Sequence, residues 1–350
     1  MAAPRRRSGL VLVLALLALL AGGVAYWAWD RWQGFQQDPL PGLQAGDGYV
    51  VAQGDSFLRV LGKLREAGVH TGTDLEWQVL ARQLGAAGRL HVGEYALAPG
   101  MSARDVLTNM RDGRVVRHRF TLVEGWNIRE LRAALAREPL LQHDSAELDD
   151  AALMATLEQP GVHPEGRFLP ETYLFTRGDS DLDILRRASS ALERALDEAW
   201  STRADDLPLQ TREDALVLAS IVEKETGIPE ERPAIAGVFV RRLQLGMRLQ
   251  TDPTVIYGMG EAFDGNIRRR DLQTDTPYNT YTRDGLPPTP IAMVGADALR
   301  AATRPADGDA LFFVAVGDGS GRHVFSRTYA EHNVAVREYV RRYRERFGPR

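Results

Sequence analysis

The sequence predicts an α+β chain with a single N-terminal transmembrane helix, a small β-α-α-β subdomain and a larger mixed α+β domain. Three patterns carry that prediction: an uncharged apolar run over residues 10–29, a strand–helix–helix–strand succession over residues 49–98, and, beyond it, helix-period segments broken by a few short strands. Some 300 of the 350 residues follow the apolar run, about enough for two ordinary domains with their own cores.

The apolar run has the length an α-helix needs to cross a hydrocarbon core of about 30 Å. Arg5, Arg6 and Arg7 precede it, and Tyr26, Trp27, Trp29 and Trp32 cluster at its far end as an interfacial belt. This asymmetry of positive charge places residues 1–9 in the cytoplasm as a short tail, residues 10–29 in the membrane as an anchor, and the remainder outside the cytoplasm. A cleaved signal peptide is the competing reading, with small-residue sites at 21–23 and 23–25. The apolar run continues past both sites into the aromatics, which favours an uncleaved anchor. Without cysteine the chain has neither a lipid-anchoring thiol nor a disulfide framework.

Residues 30–48, rich in Gln, Gly, Pro and Asp, read as a linker. A strand at 49–52 follows. Then come a Gly54-Asp55 turn, a helix with Phe57, Leu58, Val60, Leu61 and Leu64 along one side, a helix near 74–84 and a strand at 91–98. A further amphipathic helix ends at Gly113, which closes a subdomain over 49–113; a connecting region fills 114–164. The acidic stretch 144–150 reads as a solvated face or helix start. Residues 165–173, with two acids, two aromatics and a proline, read as a rigid turn-like segment that either supports the core or walls a cleft.

The helix expected from Thr211 to a C′ glycine at Gly227 carries the most informative residues. At about 100° per residue, Glu223 falls between Leu216 and Ala219 on the face of Ala215 and Val222, and Lys224 falls opposite. Glu225 lands beside Asp214 at the edge of the apolar sector. Of the two acids Glu223 is expected to be the better buried, hence the one with the raised pKa and the candidate acid catalyst. A glutamate salt-bridged to an arginine is the plain structural reading of the same position.

The segment 249–258 follows a helix ending near Gly246, and Pro253 is expected to hold Asp252 out of helical geometry, presenting Gln250, Thr251 and Asp252 on a bend. Residues 277–281 and 285–291 form a long irregular region rich in Tyr, Asn and Pro, and Tyr278, Asn279 and Tyr281 there suit a sugar, which offers apolar C–H faces and a rim of hydroxyls. A buried strand at 311–316, a turn, a strand at 323–326 and a helix from Thr328 close the chain. The net charge of −4 argues against a nucleic-acid partner. The seven histidines show no metal-ligand spacing, and no phosphate-binding glycine loop is present, so neither metal nor cofactor is expected.

In order along the chain, L-A-S-I-V-E-K-E-T-G, G-M-R-L-Q-T-D-P-T-V-I-Y-G, Y-N-T-Y, G-L-P-P and H-V-F-S together resemble the endolytic murein transglycosylase family known as MltG or YceG-like. The β-α-α-β subdomain, opening V-V-A-Q-G-D-S-F-L-R-V-L, resembles the glycan-binding LysM module, although G-E-Y-A-L-A-P-G-M departs from its usual ending. The resemblance implies a catalytic domain over 165–350 with Glu223 as the acid; Gln250, Thr251, Asp252, Tyr278, Asn279 and Tyr281, from the bend and the irregular loop, are the candidate substrate-binding residues. It implies cleavage of the MurNAc–GlcNAc linkage within peptidoglycan strands, leaving 1,6-anhydro ends, as a terminator of glycan elongation associated with peptidoglycan synthases at the inner membrane. Two other readings stay open on the residues alone: a non-catalytic peptidoglycan-binding scaffold, and a pyridoxal-phosphate lyase using Lys224, which the polar placement of that lysine disfavours.

Overall fold

The structure is a computed structural model that describes residues 5–348; the first four residues of the expected cytoplasmic tail and the last two of the chain lie outside the described residues. It is a mixed α+β fold in two compact units, residues 1–118 with 176–178 and residues 119–175 with 179–350. A single helix among the described residues is long and apolar enough to cross a membrane.

In the first unit that helix, α1 (Arg5–Gln37), does not stop at the aromatic belt. Its last two turns, expected to begin a linker, dock on the subdomain instead. Phe35 and Gln36 are buried, the Phe35 ring meets Trp77 edge-on at 5.5 Å, and Arg31 pairs with Glu76 at 3.1 Å. Strand β1 (Gly48–Val51), helices α2 (Phe57–Glu66) and α3 (Asp74–Gln83), and strand β2 (Gly93–Ala96) follow in the expected order. The strands pair antiparallel, Tyr49 opposite Tyr95 with stacked rings. Helix α4 (Ala103–Asp112) has a Ser102 capping box and ends on Gly113 in left-handed geometry (φ 65°), which a side chain would resist. Val60, Leu64, Trp77, Leu80, Leu107 and Met110 fill the core.

The second unit has two cores. Strands β3 (His118–Thr121) and β4 (Thr172–Phe175) form a two-stranded sheet that packs with α5 (Ile128–Ala136), α6 (Asp150–Thr156) and the start of α7 (Asp181–Ser201) around Phe168, Leu131 and Leu153. Helix α8 (Arg212–Glu225) is the axis of the other core. It is buried continuously from Ala215 to Glu223 among α7, α9 (Arg232–Gln244) and α12 (Ala296–Thr303). A helix apolar on nearly all sides has to be enclosed rather than laid on a surface. Two short helices, α10 (Asp252–Met259) and α11 (Arg269–Gln273), lie before the irregular region at 274–295.

Strands β5 (Phe312–Ala315) and β6 (His323–Ser326) pair antiparallel, Phe312 opposite Ser326, and α13 (Tyr329–Phe347) follows with a Thr328 capping box. The strand expected to be buried, β5, is half-buried at every position, because a two-stranded hairpin leaves an edge and part of a face uncovered. Arg241 and Arg242 at the end of α9 hold this hairpin, donating to the carbonyls of Ala310 and Leu311. At the start of α9, Glu231 takes both the backbone N–H of His323 and its ring nitrogen, which fixes the H-V-F-S strand in place.

Candidate active site

The two glutamates near the end of α8 point to different places. Glu223 sits in the apolar sector the helical spacing predicts, its side chain only 3% exposed. Its Oε1 accepts from Arg232 Nη2 at 2.8 Å and its Oε2 from the backbone N–H of Gly295 at 3.0 Å. The same guanidinium bridges to Glu124 at 2.9 Å and lies 3.9 Å from Asp297. Burial pushes the Glu223 carboxyl up; the Gly295 N–H and Arg232 oppose this, and the Glu124 carboxyl, hydrogen-bonded to it, adds to it. Both Glu223 oxygens are thus engaged by the protein, while Glu124 and Asp297, each about half exposed, form the outer side of the cluster. Sequence reasoning missed Glu124, Arg232, Asp297 and Gly295, which converge on Glu223 from three other segments; the nine-residue separation of Arg232 from Glu223 gives no helical register that would flag the pair.

Glu225 is the last residue of α8. The helix was expected to run to a left-handed glycine at 227, but Thr226 caps it in extended geometry (φ −144°, ψ 135°), and its hydroxyl accepts from Ile228 N. That stop leaves Glu225 at the open carbonyl end of the helix, where the macrodipole disfavours a negative charge. Its carboxyl faces a cavity of about 480 Å³ lined by Gln250, Asp252, Tyr281, Arg242, Phe312, Tyr329 and His332, among others. Burial, with a contribution from the Asp252 charge, drives the Glu225 pKa up to about 7 against the hydrogen bond from Thr251 Oγ1. A carboxyl so poised is half protonated near neutrality, the condition a general acid needs. Glu223 is the less solvent-exposed of the pair, as expected, but Glu225 has more protein packed around its carboxyl, and the raised pKa belongs to both.

The other residues singled out from sequence divide in the same way. Gln250, Thr251, Asp252 and Tyr281 gather around Glu225. The bend falls at Gln250, whose φ of +52° is uncommon for a side-chain-bearing residue, and not at Asp252, which is already the first residue of α10 with Pro253 tolerated in its first turn. Tyr281 donates its hydroxyl to Asp252 at 2.6 Å. Asn279, by contrast, spends its amide on the carbonyls of Asp271, Leu272 and Thr274 and its oxygen on Tyr281 N, as a staple of the loop. Tyr278 packs against Tyr257 at 4.8 Å and hydrogen-bonds Thr289, away from the cavity. Lys224 is exposed and donates to Gly125 O. Among the described residues no group of His, Asp and Glu converges in a metal-holding arrangement.

Elsewhere in the unit, Glu165 is fully buried, takes the N–H groups of Ile128 and Gly166 and the Tyr257 hydroxyl, and is pushed up to about 7 by burial. It lines no part of the Glu225 cavity.

Comparison with known proteins points in one direction. The YceG-like family matches residues 49–338. The endolytic murein transglycosylase of Bacillus subtilis (strain 168) is 32% identical over 281 residues, covering 75% of this chain and 77% of that protein. The endolytic murein transglycosylase of Streptococcus pneumoniae (D39) is 26% identical over 72% of this chain, which spans about half, 51%, of that longer relative. A crystal structure of a yceG-like protein from Listeria monocytogenes superposes with a TM-score of 0.53 at 28% identity, over 82% of this chain and 98% of the other. With a family match across most of its length and a relative above 30% identity over three quarters of it, the chain belongs to the YceG-like family.

Proposed function

We propose that the chain is a membrane-anchored endolytic lytic transglycosylase that cleaves the β-1,4 linkage between MurNAc and GlcNAc inside peptidoglycan strands, with Glu225 as its acid and base. The observation that carries the assignment of the acid is the setting of Glu225: a carboxyl raised to about 7 that opens on a cavity with Gln250, Asp252 and Tyr281. An ordinary glycosidase needs two carboxylates, one of them to activate water or attack the sugar. Here the C6 hydroxyl of the sugar replaces water, so one carboxyl suffices. Glu225 gives its proton to the glycosidic oxygen as the C1–O bond breaks; the C6 oxygen then bonds to C1 and returns its proton to Glu225. The products are a free GlcNAc 4-hydroxyl and a 1,6-anhydroMurNAc end, with no water consumed. Asp252, and the aromatic wall of Tyr281, Phe312 and Tyr329, supply charge stabilisation and stacking faces for the oxocarbenium-like state.

Glu223 is the other assignment, favoured by its own raised pKa and by the family resemblance. Its ion pair with Arg232 and the engagement of both its oxygens argue against proton delivery to a substrate. Exchange of each glutamate for glutamine tests the choice: Glu225→Gln should lower cleavage of isolated peptidoglycan by about 10² or more, and wild-type products formed in ¹⁸O-water should carry anhydro ends without label. Label in new reducing ends would replace the lytic step by hydrolysis.

The same reading takes α1 as a single-pass anchor in the inner membrane with its N-terminus in the cytoplasm, on the strength of the preceding arginines. The β-α-α-β order and the antiparallel pairing of β1 with β2 support a LysM-like glycan-holding role for the subdomain. An anchored enzyme cutting within strands would act on glycan emerging from peptidoglycan synthases, as a terminator of elongation.

A further inference from the structure

Helix α1 runs from the apolar span into the small subdomain without a break, and the order of its contacts sets the height of that body above the bilayer. Tyr26, Trp27 and Trp29 are exposed, as residues of an interfacial belt are, whereas Trp32 already packs against the subdomain core and Phe35 is part of it. Phe35 lies six residues beyond Trp29, a rise of about 9 Å. The fit there is close: the Phe35 ring fills the place where a side chain on Gly72 would stand. Going up α1 from the belt, Arg31 pairs with Glu76 in the first turn of α3, Phe35 meets Trp77, and Gln36 accepts from Arg104. Just past the helix end, Leu40 N donates to Met101 O. The first turn of α3 is thus the part of the body attached lowest, and the segment around Met101 the part attached highest.

We propose that the small subdomain is seated on the bilayer, with Leu75 and the first turn of α3 among the lipid headgroups of the leaflet at the aromatic end of α1. The inference rests on the reading of α1 as a membrane anchor. A compact body the size of residues 49–113 has a radius of gyration of about 11 Å, and the headgroup layer adds about 5–7 Å to each side of the hydrocarbon core. With its core only about 9 Å above the aromatic belt, such a body reaches the headgroups, and any tilt of α1 brings it lower. A cleft of about 600 Å³ between α1 and residues 71–76 begins at Asp30, one residue beyond Trp29, so its lower end lies at the same level. Leu75 is 69% exposed, and Thr73 and Asp74 beside it are exposed as well. A leucine flanked by polar residues suits a layer with polar groups above and acyl chains beneath. The subdomain then meets its ligands at the membrane surface, with no flexible linker to lift it away.

The chain has no cysteine, so one introduced thiol carries a label without background. The test uses the full chain in vesicles of phosphatidylethanolamine and phosphatidylglycerol, with an environment-sensitive fluorophore on Leu75→Cys or on Ala98→Cys, an exposed position beside Met101. The label at Leu75→Cys should emit at shorter wavelength than the label at Ala98→Cys, and should lose most of its intensity to lipids that carry a nitroxide on the headgroup. The label at Ala98→Cys should keep most of its own. Equal quenching at the two positions, stronger quenching at Ala98→Cys, or none at Leu75→Cys would overturn the inference. A third label, on Leu17→Cys in the middle of the apolar span, separates the two readings: if nitroxides placed deep in the acyl chains fail to quench it, the anchor itself is removed.

Discussion

Two residues apart on one helix, Glu223 and Glu225 occupy opposite kinds of site. Glu223 is engaged by Arg232, Glu124 and the Gly295 N–H; Glu225 is held by one threonine hydroxyl in the lining of a cavity with an aromatic wall. Desolvation raises both carboxyls, so burial by itself does not distinguish a structural acid from a catalytic one. What distinguishes them is what else can reach the carboxyl. A protonated acid has to meet a substrate oxygen, and a guanidinium already at 2.8 Å occupies that place on Glu223.

If the Glu223 cluster is structural, its cation is the group the fold can least spare. Arg232→Met should destabilise the protein by about 3–5 kcal/mol, the usual result of stranding a buried charge, as read by chemical denaturation; a drop below about 1 kcal/mol would break the comparison. Glu165 gives the next effect. Its folded pKa lies above its unfolded value, so its stabilisation is complete below about pH 4.5 and is lost as pH rises through about 7. The loss amounts to roughly 3 kcal/mol, and Glu165→Gln should flatten that part of the stability–pH curve. Glu223→Gln should cost about 1–3 kcal/mol of stability while the folded fraction keeps cleavage within about threefold, since the proton donor is elsewhere. The smallest effect is on the pH profile. Cleavage should fall as pH rises through about 7, because Glu225 must be protonated. Thr251→Val removes the hydrogen bond that favours the charged form, so that limb should move to higher pH; a shift to lower pH would show that Thr251 acts otherwise.

Much of this molecule was legible in the sequence, and the gaps have physical causes. Helix-period spacing and capping boxes located α8, with Thr211 bonded to Asp214 N, and the order of elements in the small subdomain. Spacing also read the burial of Glu223 correctly, because helical phase is a local property. Its partner Arg232 could not be read, since only the turn after α8 and the packing of α9 bring it back. The cavity was less legible still: its wall combines residues near 225, 250, 281, 312 and 332, and no periodicity links them. Tyr278 and Asn279 looked like sugar ligands by composition, yet the loop's own backbone groups and neighbouring side chains claim their polar atoms, as long irregular loops require. The docking of α1 was hidden for a similar reason: a Gln-rich helix end resembles a linker until Phe35 meets Trp77.

The decisive measurement is the rate of glycan cleavage per folded molecule for Glu223→Gln and Glu225→Gln, with folded fractions taken from denaturation curves under the same conditions. A loss of about 10² or more in Glu225→Gln, beside near wild-type turnover in the folded fraction of Glu223→Gln, is the predicted result. The reverse pattern, with Glu223→Gln folded but inactive and Glu225→Gln active, would contradict it and return the acid to the Arg232 cluster.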